Sequence, residues 1–263
     1  MVWVAGHFGE WLQGCLVATG EVALVTLACP LRGTSVTWSP AAELLVDDPA
    51  RLVGPDRAAA LLRALGLSAR GRVVVAPDLP PGGGAGMSTA ALVALSRAAG
   101  GQDSRIAAAC RTVEGAVDPL MLPSPDAVLW APRAARVLTA LPPPPAAEIL
   151  GGLWGPPMAT DPSDTAFPPI DDLIAEWAQG PSLPQAARLA SLSAARTTAM
   201  RGPVDDPTPA LAADLCALGW ARAHTGPARA LIFAPGDAPA EGETRMRDNG
   251  YTHVLRFSTG GRT

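Results

Sequence analysis

The sequence predicts an α+β protein built from two subdomains. Strand-forming stretches fill the first forty residues, helix-forming stretches follow, and a segment that mixes both closes the 263-residue chain. This order favours an α+β architecture over a regularly alternating parallel sheet. The successive prolines of Pro142–Pro145 form a stiff connector, so we expect one subdomain over residues 1–141 and another over residues 142–263.

Periodicity and turn residues locate the elements of the first subdomain. Gly20 suits the tight turn of a hairpin that joins Leu16–Ala18 to Val22–Leu27. Leucines at helical spacing, with Gly66 just beyond them, predict a helix over Asp56–Leu65. The other predicted elements are strands at Gly33–Trp38, Glu43–Val46, Arg72–Ala76, Ala127–Trp130 and Arg136–Leu141, and helices at Met87–Ala99 and Asp103–Glu114.

The second subdomain is predicted to contain more helix and to end in a βαβ-like unit. Pro156–Pro169 is expected to be a loop, because proline and glycine interrupt regular structure there. The predicted elements are strands at Ile149–Trp154, Ala228–Phe233 and Thr252–Ser258, and helices at Ile170–Gln179, Pro184–Met200, Pro207–Leu218 and Ala240–Asp248.

Composition and charge exclude several classes of protein. The formal net charge is −4 and charged residues make up 17% of the chain, so no basic surplus exists to neutralise a nucleic-acid backbone. No apolar run approaches the ~20 residues of a membrane-spanning helix, and the N-terminus lacks the basic start of a signal peptide. The four cysteines stand far apart in no metal-ligand spacing, which fits a reduced, cytoplasmic setting.

Lysine is absent from the sequence, and arginine supplies all the basic side chains apart from histidine. A Walker-type phosphate loop and a protein kinase each need a lysine to hold phosphates, and Schiff-base catalysis needs a lysine amine. These three classes of site are therefore excluded.

A glycine-rich loop directly before a helix is the most informative motif. Glycines allow positive φ and a close approach of the backbone to a ligand, and the first turn of a helix presents unpaired amides. Together they favour an anion site suited to a phosphate chain, with hydroxyls available for a helix cap or for Mg²⁺. The alternative is a flexible loop before a capped helix. The predicted nucleotide-binding residues are Gly82, Gly83, Gly84, Ala85, Gly86, Met87, Ser88 and Thr89.

Two shorter motifs lie towards the ends of the chain. Gly9-Glu10-Trp11-Leu12-Gln13-Gly14 predicts a turn in which Glu10 and Gln13 either face a ligand or lie in water. His224-Thr225-Gly226 precedes an apolar strand, and such a loop can present amides and a hydroxyl at the mouth of a site. An ordinary loop before a core strand is the alternative for this second motif.

The three motifs resemble those of the GHMP kinases and occur in the order of that superfamily. The stretch Pro81–Ala91 resembles its phosphate loop, and Gly9-Glu10-x-x-Gln13-Gly14 resembles the first motif of its L-threonine kinase branch. The stretch His224-Thr225-Gly226 resembles its third motif. The resemblance implies a two-subdomain fold, with an N-terminal ribosomal-protein-S5-like α/β domain and a C-terminal ferredoxin-like α+β domain.

The same resemblance implies an activity and roles for individual residues. It implies transfer of a phosphoryl group from ATP, with Mg²⁺, to L-threonine; in that branch O-phospho-L-threonine serves cobalamin synthesis and propanediol utilisation. The implied metal ligands are Ser88 and Glu114, and the implied catalytic residues are Glu10, Asp118 and Asp126. Either aspartate can be the base, Asp118 can instead contact the substrate, and the family also includes enzymes without a protein base. The implied substrate-binding residues are Gln13, His224, Thr225, Gly226 and Asp164.

Several alternatives stay open at the level of sequence. The acceptor can be another alcohol, such as homoserine, a mevalonate-like compound or a sugar. The protein can also be a non-catalytic nucleotide-binding homologue, since Ala85-Gly86-Met87 and the spacing from Glu114 to Asp118 depart from the family pattern. A third alternative is a metabolite-binding module without nucleotide. The expected assembly is a monomer or homodimer, without nucleic-acid or membrane partners, and an amino-acid acceptor would need a cation from among Arg196, Arg201 and Arg222.

Overall fold

The structure is a computed structural model that describes residues 1–261, and it has the α+β architecture predicted from the sequence. The strands are β1 (Val2–Cys15), β2 (Val22–Ser39), β3 (Leu44–Asp47), β4 (Gly71–Pro77), β5 (Val128–Ala131), β6 (Arg136–Ala140), β7 (Ala147–Leu153), β8 (Gly219–Arg222), β9 (Ala228–Phe233) and β10 (Thr252–Thr259). The helices are α1 (Gly54–Leu65), α2 (Met87–Ala98), α3 (Asp103–Glu114), α4 (Asp171–Trp177), α5 (Leu183–Arg201), α6 (Thr208–Asp214) and α7 (Gly242–Asp248).

One curled sheet runs through the described chain. Its strand order is β10-β7-β9-β8-β1-β2-β4-β3, and β5 pairs with β2 and carries β6. The pairings are antiparallel except that β3 and β4 run parallel. In the middle of the order, β1 meets β8 where Glu10 pairs with Arg222. Strands from both predicted subdomains therefore meet at Glu10, while the division at Pro142–Pro145 stays a prediction.

The N-terminal motif is a strand, and the prediction of a turn at Gly9–Gly14 is wrong. β1 runs unbroken through this segment, with register shifts between Ala5 and Gly6 and between His7 and Glu10. Gly9 has φ of 85°, and a Cβ there would lie 2.8 Å from the carbonyl carbon of Arg222. The motif's glycine thus serves a bulge and a close approach of β8, rather than a chain reversal.

Two other sequence predictions fail around the first hairpin. Leu16–Ala18 was expected to be a strand, but Leu16 accepts a hydrogen bond from Gly20 N–H at 2.7 Å, and the segment forms the turn itself. The strands expected at Val22–Leu27 and Gly33–Trp38 are halves of the 18-residue β2, which continues across Pro30. A proline interrupts the hydrogen bonding of only one position, and here it does not end the strand.

The first three predicted helices are confirmed as α1, α2 and α3, and α2 is the central one. It packs on β1 and β2 and against the other two helices. Its Ala- and Leu-rich sequence leaves nine residues buried, because both of its sides are covered. A helix buried in this way is held rigidly, so its N-terminus and the preceding glycine loop have a fixed position.

The segment after α5 departs most from the sequence prediction. The helix expected at Pro207–Leu218 ends early, as α6, and Cys216 takes a φ of 54°. The chain then enters β8, which the sequence analysis missed because its four residues carry no alternating pattern. All four are buried. No helix among residues 1–261 has the length and apolar character that crossing a membrane would need.

Candidate active site

The glycine loop is held in place by backbone hydrogen bonds from three separate segments. His7 N–H donates to Ala85 O at 3.1 Å, Ala228 N–H donates to Gly83 O at 3.0 Å, and Met158 N–H donates to Gly82 O at 2.9 Å. These contacts come from β1, from the start of β9 and from the loop after β7. The loop is therefore fixed by its carbonyl groups, which leaves its amides to point elsewhere.

The loop delivers the chain into α2 with unpaired amides at its first turn. The first hydrogen bond of α2 runs from Ala90 N–H to Gly86 O at 2.8 Å, so the amides of residues 87–89 have no partner within the helix. Gly86 has φ of 70°, and a Cβ there would lie 2.5 Å from His7 Cδ2. Only glycine fits this position, between the helix and the histidine.

A cleft of about 370 Å³ opens in front of this turn. Ligand pockets of ~300 Å³ and more accommodate small metabolites, so this volume is adequate for part of a nucleotide and an acceptor. The cleft brings together most of the predicted site residues. The polar and charged side chains that line it are His7, Glu10, Arg51, Arg57, Ser88, Thr89, Glu114, Asp118, Thr160, His224 and Thr225.

Glu114 ends α3 at the floor of the cleft and is surrounded by donors. Ser88 Oγ donates to its Oε1, Thr89 Oγ1 donates to its Oε2 at 2.9 Å, and Arg57 Nη2 lies 2.6 Å from its Oε1. Burial raises the pKa of this carboxyl, against the stabilising hydrogen bonds from Ser88 and the charge of Arg57. The predicted pair Ser88 and Glu114 is thus adjacent.

Arg57 is a site residue that the sequence analysis missed. Its Nη2 also donates to Ser88 Oγ at 3.1 Å, so the guanidinium lies beside both predicted metal ligands. A signal was present, because Arg57 falls four residues before Leu61 and eight before Leu65, on the apolar stripe of α1. A charge on such a stripe is expected to meet a partner in the interior.

The donor set at Glu114 suits a divalent cation that is bound mainly by a phosphate ligand. Mg²⁺ prefers oxygen ligands and takes one or two carboxylates together with substrate phosphates. Ser88 and Glu114 offer a hydroxyl and a carboxylate beside the unpaired amides. Within residues 1–261 no group of three His, Cys, Asp or Glu side chains could hold a metal ion, so phosphate oxygens would have to complete the shell.

A second charged cluster joins β1 to the segment after α3. His7 Nε2 lies 3.3 Å from Asp118 Oδ2, and its Nδ1 lies 3.6 Å from Glu10 Oε1. Burial lowers the pKa of His7, but the two carboxylates outweigh it and raise the pKa to about 9. Burial raises the pKa of Asp118, but the charge and the hydrogen bond of His7 have the larger combined effect. The pKa of this carboxyl therefore lies below its usual value. His7 is the second site residue that the sequence analysis missed.

Glu10 is the more deeply buried of the two carboxyls. Its side chain is 1% exposed, and burial raises its pKa to about 8, with His7 acting in the opposite direction. We therefore assign the stable ion pair to His7 and Asp118, and the proton-holding carboxyl to Glu10. Thr89 links this cluster to the other one, since its hydroxyl accepts a hydrogen bond from Asp118 N–H at 3.4 Å.

The C-terminal motif forms the opposite wall of the cleft. His224 stacks on Phe167 with ring centroids 4.1 Å apart, and Thr225 Oγ1 lies 3.2 Å from its Nδ1. Burial and the charge of Arg133 lower the pKa of His224 to about 3, so this ring is neutral at ordinary pH. It can therefore accept or donate one hydrogen bond toward the cleft, without carrying charge.

Four predicted site residues lie outside the cleft lining. Gln13 is fully buried, and its Nε2 donates to Arg222 O at 2.8 Å, so its side chain ties β1 to β8. Asp126 is 4% exposed in the turn before β5. Asp164 pairs with Arg201, and together with Gly226 it lines a second cavity beside the cleft. Of the two predicted bases, only Asp118 lies in the cleft.

Solved structures share the fold of this chain, whereas comparisons of its sequence find no match. No protein-family model matches the sequence. No curated protein matches it either.

Many solved structures resemble the chain over nearly its whole length. The mevalonate kinase of Methanococcus jannaschii matches with a TM-score of 0.65 at 10% identity, covering 100% of this chain and 98% of that one. The mevalonate kinase of L. major, solved with R-mevalonate, matches with a TM-score of 0.63 at 13% identity, covering 98% and 94%. The homoserine kinase of Cytophaga hutchinsonii gives 0.63 at 15% identity, with coverages of 98% and 94%. The chain therefore has the fold of these small-molecule kinases.

Proposed function

We propose that this protein is an ATP-dependent kinase that phosphorylates the hydroxyl group of a small metabolite. One observation carries the proposal: unpaired helix amides, a hydroxyl–carboxylate pair and an ionised histidine–aspartate pair all line one cleft. These are the parts that phosphoryl transfer needs, namely a phosphate cradle, cation ligands and a group that receives the hydroxyl proton. The solved structures of the same fold support it, since those named above act on mevalonate or homoserine.

The triphosphate would lie against the glycine loop and the first turn of α2. The amides of residues 87–89 would donate to phosphate oxygens, favoured by the positive end of the helix dipole. Ser88 and Glu114 would hold the Mg²⁺ that accompanies ATP, and that ion would neutralise charge on the phosphate oxygens. The Arg57 guanidinium would then leave Glu114 and turn toward the phosphates.

Asp118 would receive the proton of the acceptor hydroxyl. As the acceptor oxygen forms its bond to the γ-phosphorus, the bond from that phosphorus to the leaving ADP oxygen breaks and the hydroxyl proton passes to Asp118. His7 would keep Asp118 ionised and oriented through the 3.3 Å contact, while protonated Glu10 lies 3.6 Å from the other ring nitrogen. The low pKa of Asp118 suits a group that orients the hydroxyl and takes its proton late in the transfer.

L-Threonine is the acceptor that we propose first. The support is the sequence resemblance of Gly9-Glu10-x-x-Gln13-Gly14 to the L-threonine kinase branch, with O-phospho-L-threonine as a cytoplasmic product for cobalamin synthesis. A second candidate is a nucleotide-binding homologue without turnover. The contact of Arg57 with Glu114 favours it, because the carboxylate already has a cationic partner.

The experiment that tests the proposal is a coupled ADP-release assay across L-threonine, L-serine, L-homoserine and mevalonate. We expect turnover with Mg·ATP and an acceptor-dependent rate, highest with L-threonine. Turnover restricted to mevalonate would remove L-threonine as the acceptor. Binding of Mg·ATP without ADP release for any acceptor would favour the second candidate.

The variant E114Q tests the cation site directly. Loss of the carboxylate charge should lower kcat by about 10²- to 10³-fold, the size typical of removing one electrostatic group from a site. The matched control is E176Q, because Glu176 forms an exposed ion pair with Arg188 on the surface. An E114Q enzyme as active as E176Q would remove Glu114 from the proposed role.

A further inference from the structure

A second cavity of about 580 Å³ adjoins the cleft. Met158, His224 and Thr225 line both spaces, so the two spaces lie next to each other. The volume lies within the ~300–1,000 Å³ typical of small-molecule sites. No step of the phosphoryl transfer described above uses this cavity, although it shares His224 and Thr225 with the cleft.

Arg222 in β8 is the feature that gives this cavity its chemistry. The residue is 5% exposed, and its guanidinium donates to Thr198 Oγ1 at 2.8 Å and to Ala223 O at 3.3 Å. Among residues 1–261 no carboxylate oxygen lies within 4.0 Å of it. A buried cation without a carboxylate partner is strongly disfavoured unless another anion compensates it.

The surrounding charges leave Arg222 uncompensated. Arg229 pairs with Asp206 at 2.6 Å, with both side chains 2% exposed, and Arg201 pairs with Asp164. Burial, followed by repulsion from Arg229, lowers the pKa of Arg222 to about 10, and Asp206 only partly opposes this. Because His224 is neutral, the cavity wall carries one more positive than negative side chain. One monovalent anion would balance this excess positive charge.

The backbone places this cation close to the proposed reaction. Arg222 pairs with Glu10 between β8 and β1, and Glu10 lines the cleft. The side-chain Nε2 of Gln13 donates a 2.8 Å hydrogen bond to the backbone carbonyl of Arg222, which fixes β8 at this residue. His224, two residues beyond Arg222, stacks on Phe167, which Arg201 covers from 4.1 Å. The guanidinium is therefore carried by β8, beside the strand that presents Glu10 to the cleft.

We propose that Arg222 binds the carboxylate of the acceptor in this second cavity, so that the acceptor is a hydroxy acid or hydroxy amino acid. The proposal rests on the proposed kinase function and narrows its substrate class. A guanidinium offers a carboxylate two parallel hydrogen bonds, which fixes orientation as well as charge. With the carboxylate at Arg222, the hydroxyl of the same small molecule would extend past Thr225, which lines both spaces, towards the cleft.

The test compares acceptors that differ only by the carboxylate. L-Threonine is paired with 1-aminopropan-2-ol, and L-homoserine is paired with 3-aminopropan-1-ol. Each is assayed for ADP release with the wild type, with R222Q and with the surface control R188Q. Binding of the two amino acids is measured by calorimetry in the absence of ATP.

The expected result is selective for the carboxylate. R222Q should raise KM and Kd for the preferred amino acid by about 10- to 100-fold, the range for losing hydrogen bonds to a charged group. KM for ATP and the rate with the decarboxylated amine should stay as in R188Q. A purely structural role would instead lower the melting temperature and act equally on both members of a pair. If R222Q does not fold, R222K, which keeps the charge and loses the planar fork, should give a smaller, equally selective loss.

Each unfavourable result contradicts either the carboxylate subsite or the kinase assignment, and not both. If the wild type turns over the amines as well as the amino acids, the carboxylate subsite is wrong and the kinase assignment stands. If no acceptor releases ADP but L-threonine binds and R222Q abolishes that binding, the subsite stands and the kinase assignment falls. An anion such as acetate or phosphate that stimulates turnover without competing with the amino acid would reassign Arg222 to a separate effector.

Discussion

The cleft and the second cavity differ in how their buried charges are balanced. In the cleft, Glu114 meets Arg57 at 2.6 Å and Asp118 meets His7 at 3.3 Å. In the second cavity, Arg222 is 5% exposed and donates hydrogen bonds only to neutral oxygens. A site whose charges are already matched must exchange partners when it binds a charged ligand. A site with one unmatched cation gains its partner from the ligand itself, so its selectivity is for charge.

This difference in charge balance assigns separate roles in the proposed reaction to the cleft and to the second cavity. Phosphate binding and proton transfer would take place where charges rearrange, and acceptor selection would take place where one charge is lacking. Changes in the cleft should therefore act mainly on kcat, and changes at Arg222 mainly on acceptor KM. The three predictions that follow probe the cleft side of this division.

Replacing Asp118 should have the largest effect. D118N keeps the shape but cannot accept the hydroxyl proton, so kcat should fall by about 10²- to 10⁴-fold, with acceptor Kd nearly unchanged. Steady-state kinetics and calorimetry on the same preparation measure both quantities. D126N is the comparison, because Asp126 was the alternative base and lies outside the cleft lining. A kcat that drops more in D126N than in D118N would transfer the role to Asp126.

The glycine loop offers a matched pair of substitutions. Gly86 and Gly20 have φ of 70° and 67°, so alanine should strain both backbones by about 1–2 kcal/mol. A Cβ at Gly86 would meet His7, whereas a Cβ at Gly20 has open space around it. We expect G86A to lose more stability than G20A, because its Cβ must also displace His7, and we expect a loss of kcat/KM for ATP of at least tenfold in G86A alone. Equal kinetics for the two variants would show that the loop does not position the phosphates.

Parts of the site that one contiguous stretch of sequence forms could be predicted, whereas parts formed by residues distant in sequence could not. The loop and α2 follow from local rules of backbone conformation, and the pair Ser88 and Glu114 followed from the family resemblance. His7 and Arg57 were missed, because Asp118 and Glu114, the carboxylates nearest to them, are more than fifty residues away in sequence and only packing of the elements brings them together. The prediction of α+β architecture is confirmed, since it depends on the order of elements and not on their pairing.

Errors in the strand predictions had a physical cause that also hid the second cavity. The segment Gly9–Gly14 of β1 was predicted to be a turn because of its glycines, although Gly9 admits a bulge and the close approach of β8. β8 was missed because both of its faces are buried, so its four residues show no alternation. Arg222 lies on β8 opposite Glu10. Without those two strands in place, the sequence could not choose Arg222 over Arg196 and Arg201 as the cation for an amino-acid acceptor.

His7 and His224 allow the charge balance of the cleft to be tested through the pH dependence of protein stability. This is the smallest effect that we predict. The pKa of His7 is raised to about 9 in the folded state, against ~6.5 for an unfolded chain, so its contribution is complete below pH ~6.5 and is lost as the pH rises through 9. The pKa of His224 is lowered to about 3, so its contribution is present above pH ~6.5 and is lost as the pH falls toward 3. Each should change the free energy of unfolding by about 1–3 kcal/mol across its window.

Urea unfolding of the wild type, H7Q, H224Q and H253Q at pH 4, 6.5 and 9 measures these contributions. H7Q should flatten the decline between pH 6.5 and 9 and leave the acid side as in the wild type. H224Q should reduce the decline on the acid side only, and H253Q serves as the exposed control. If H7Q declined as steeply as the wild type above pH 6.5, His7 would not be the charged partner of Asp118. The cleft would then hold an unmatched carboxylate, and the contrast with the cavity of Arg222 would disappear.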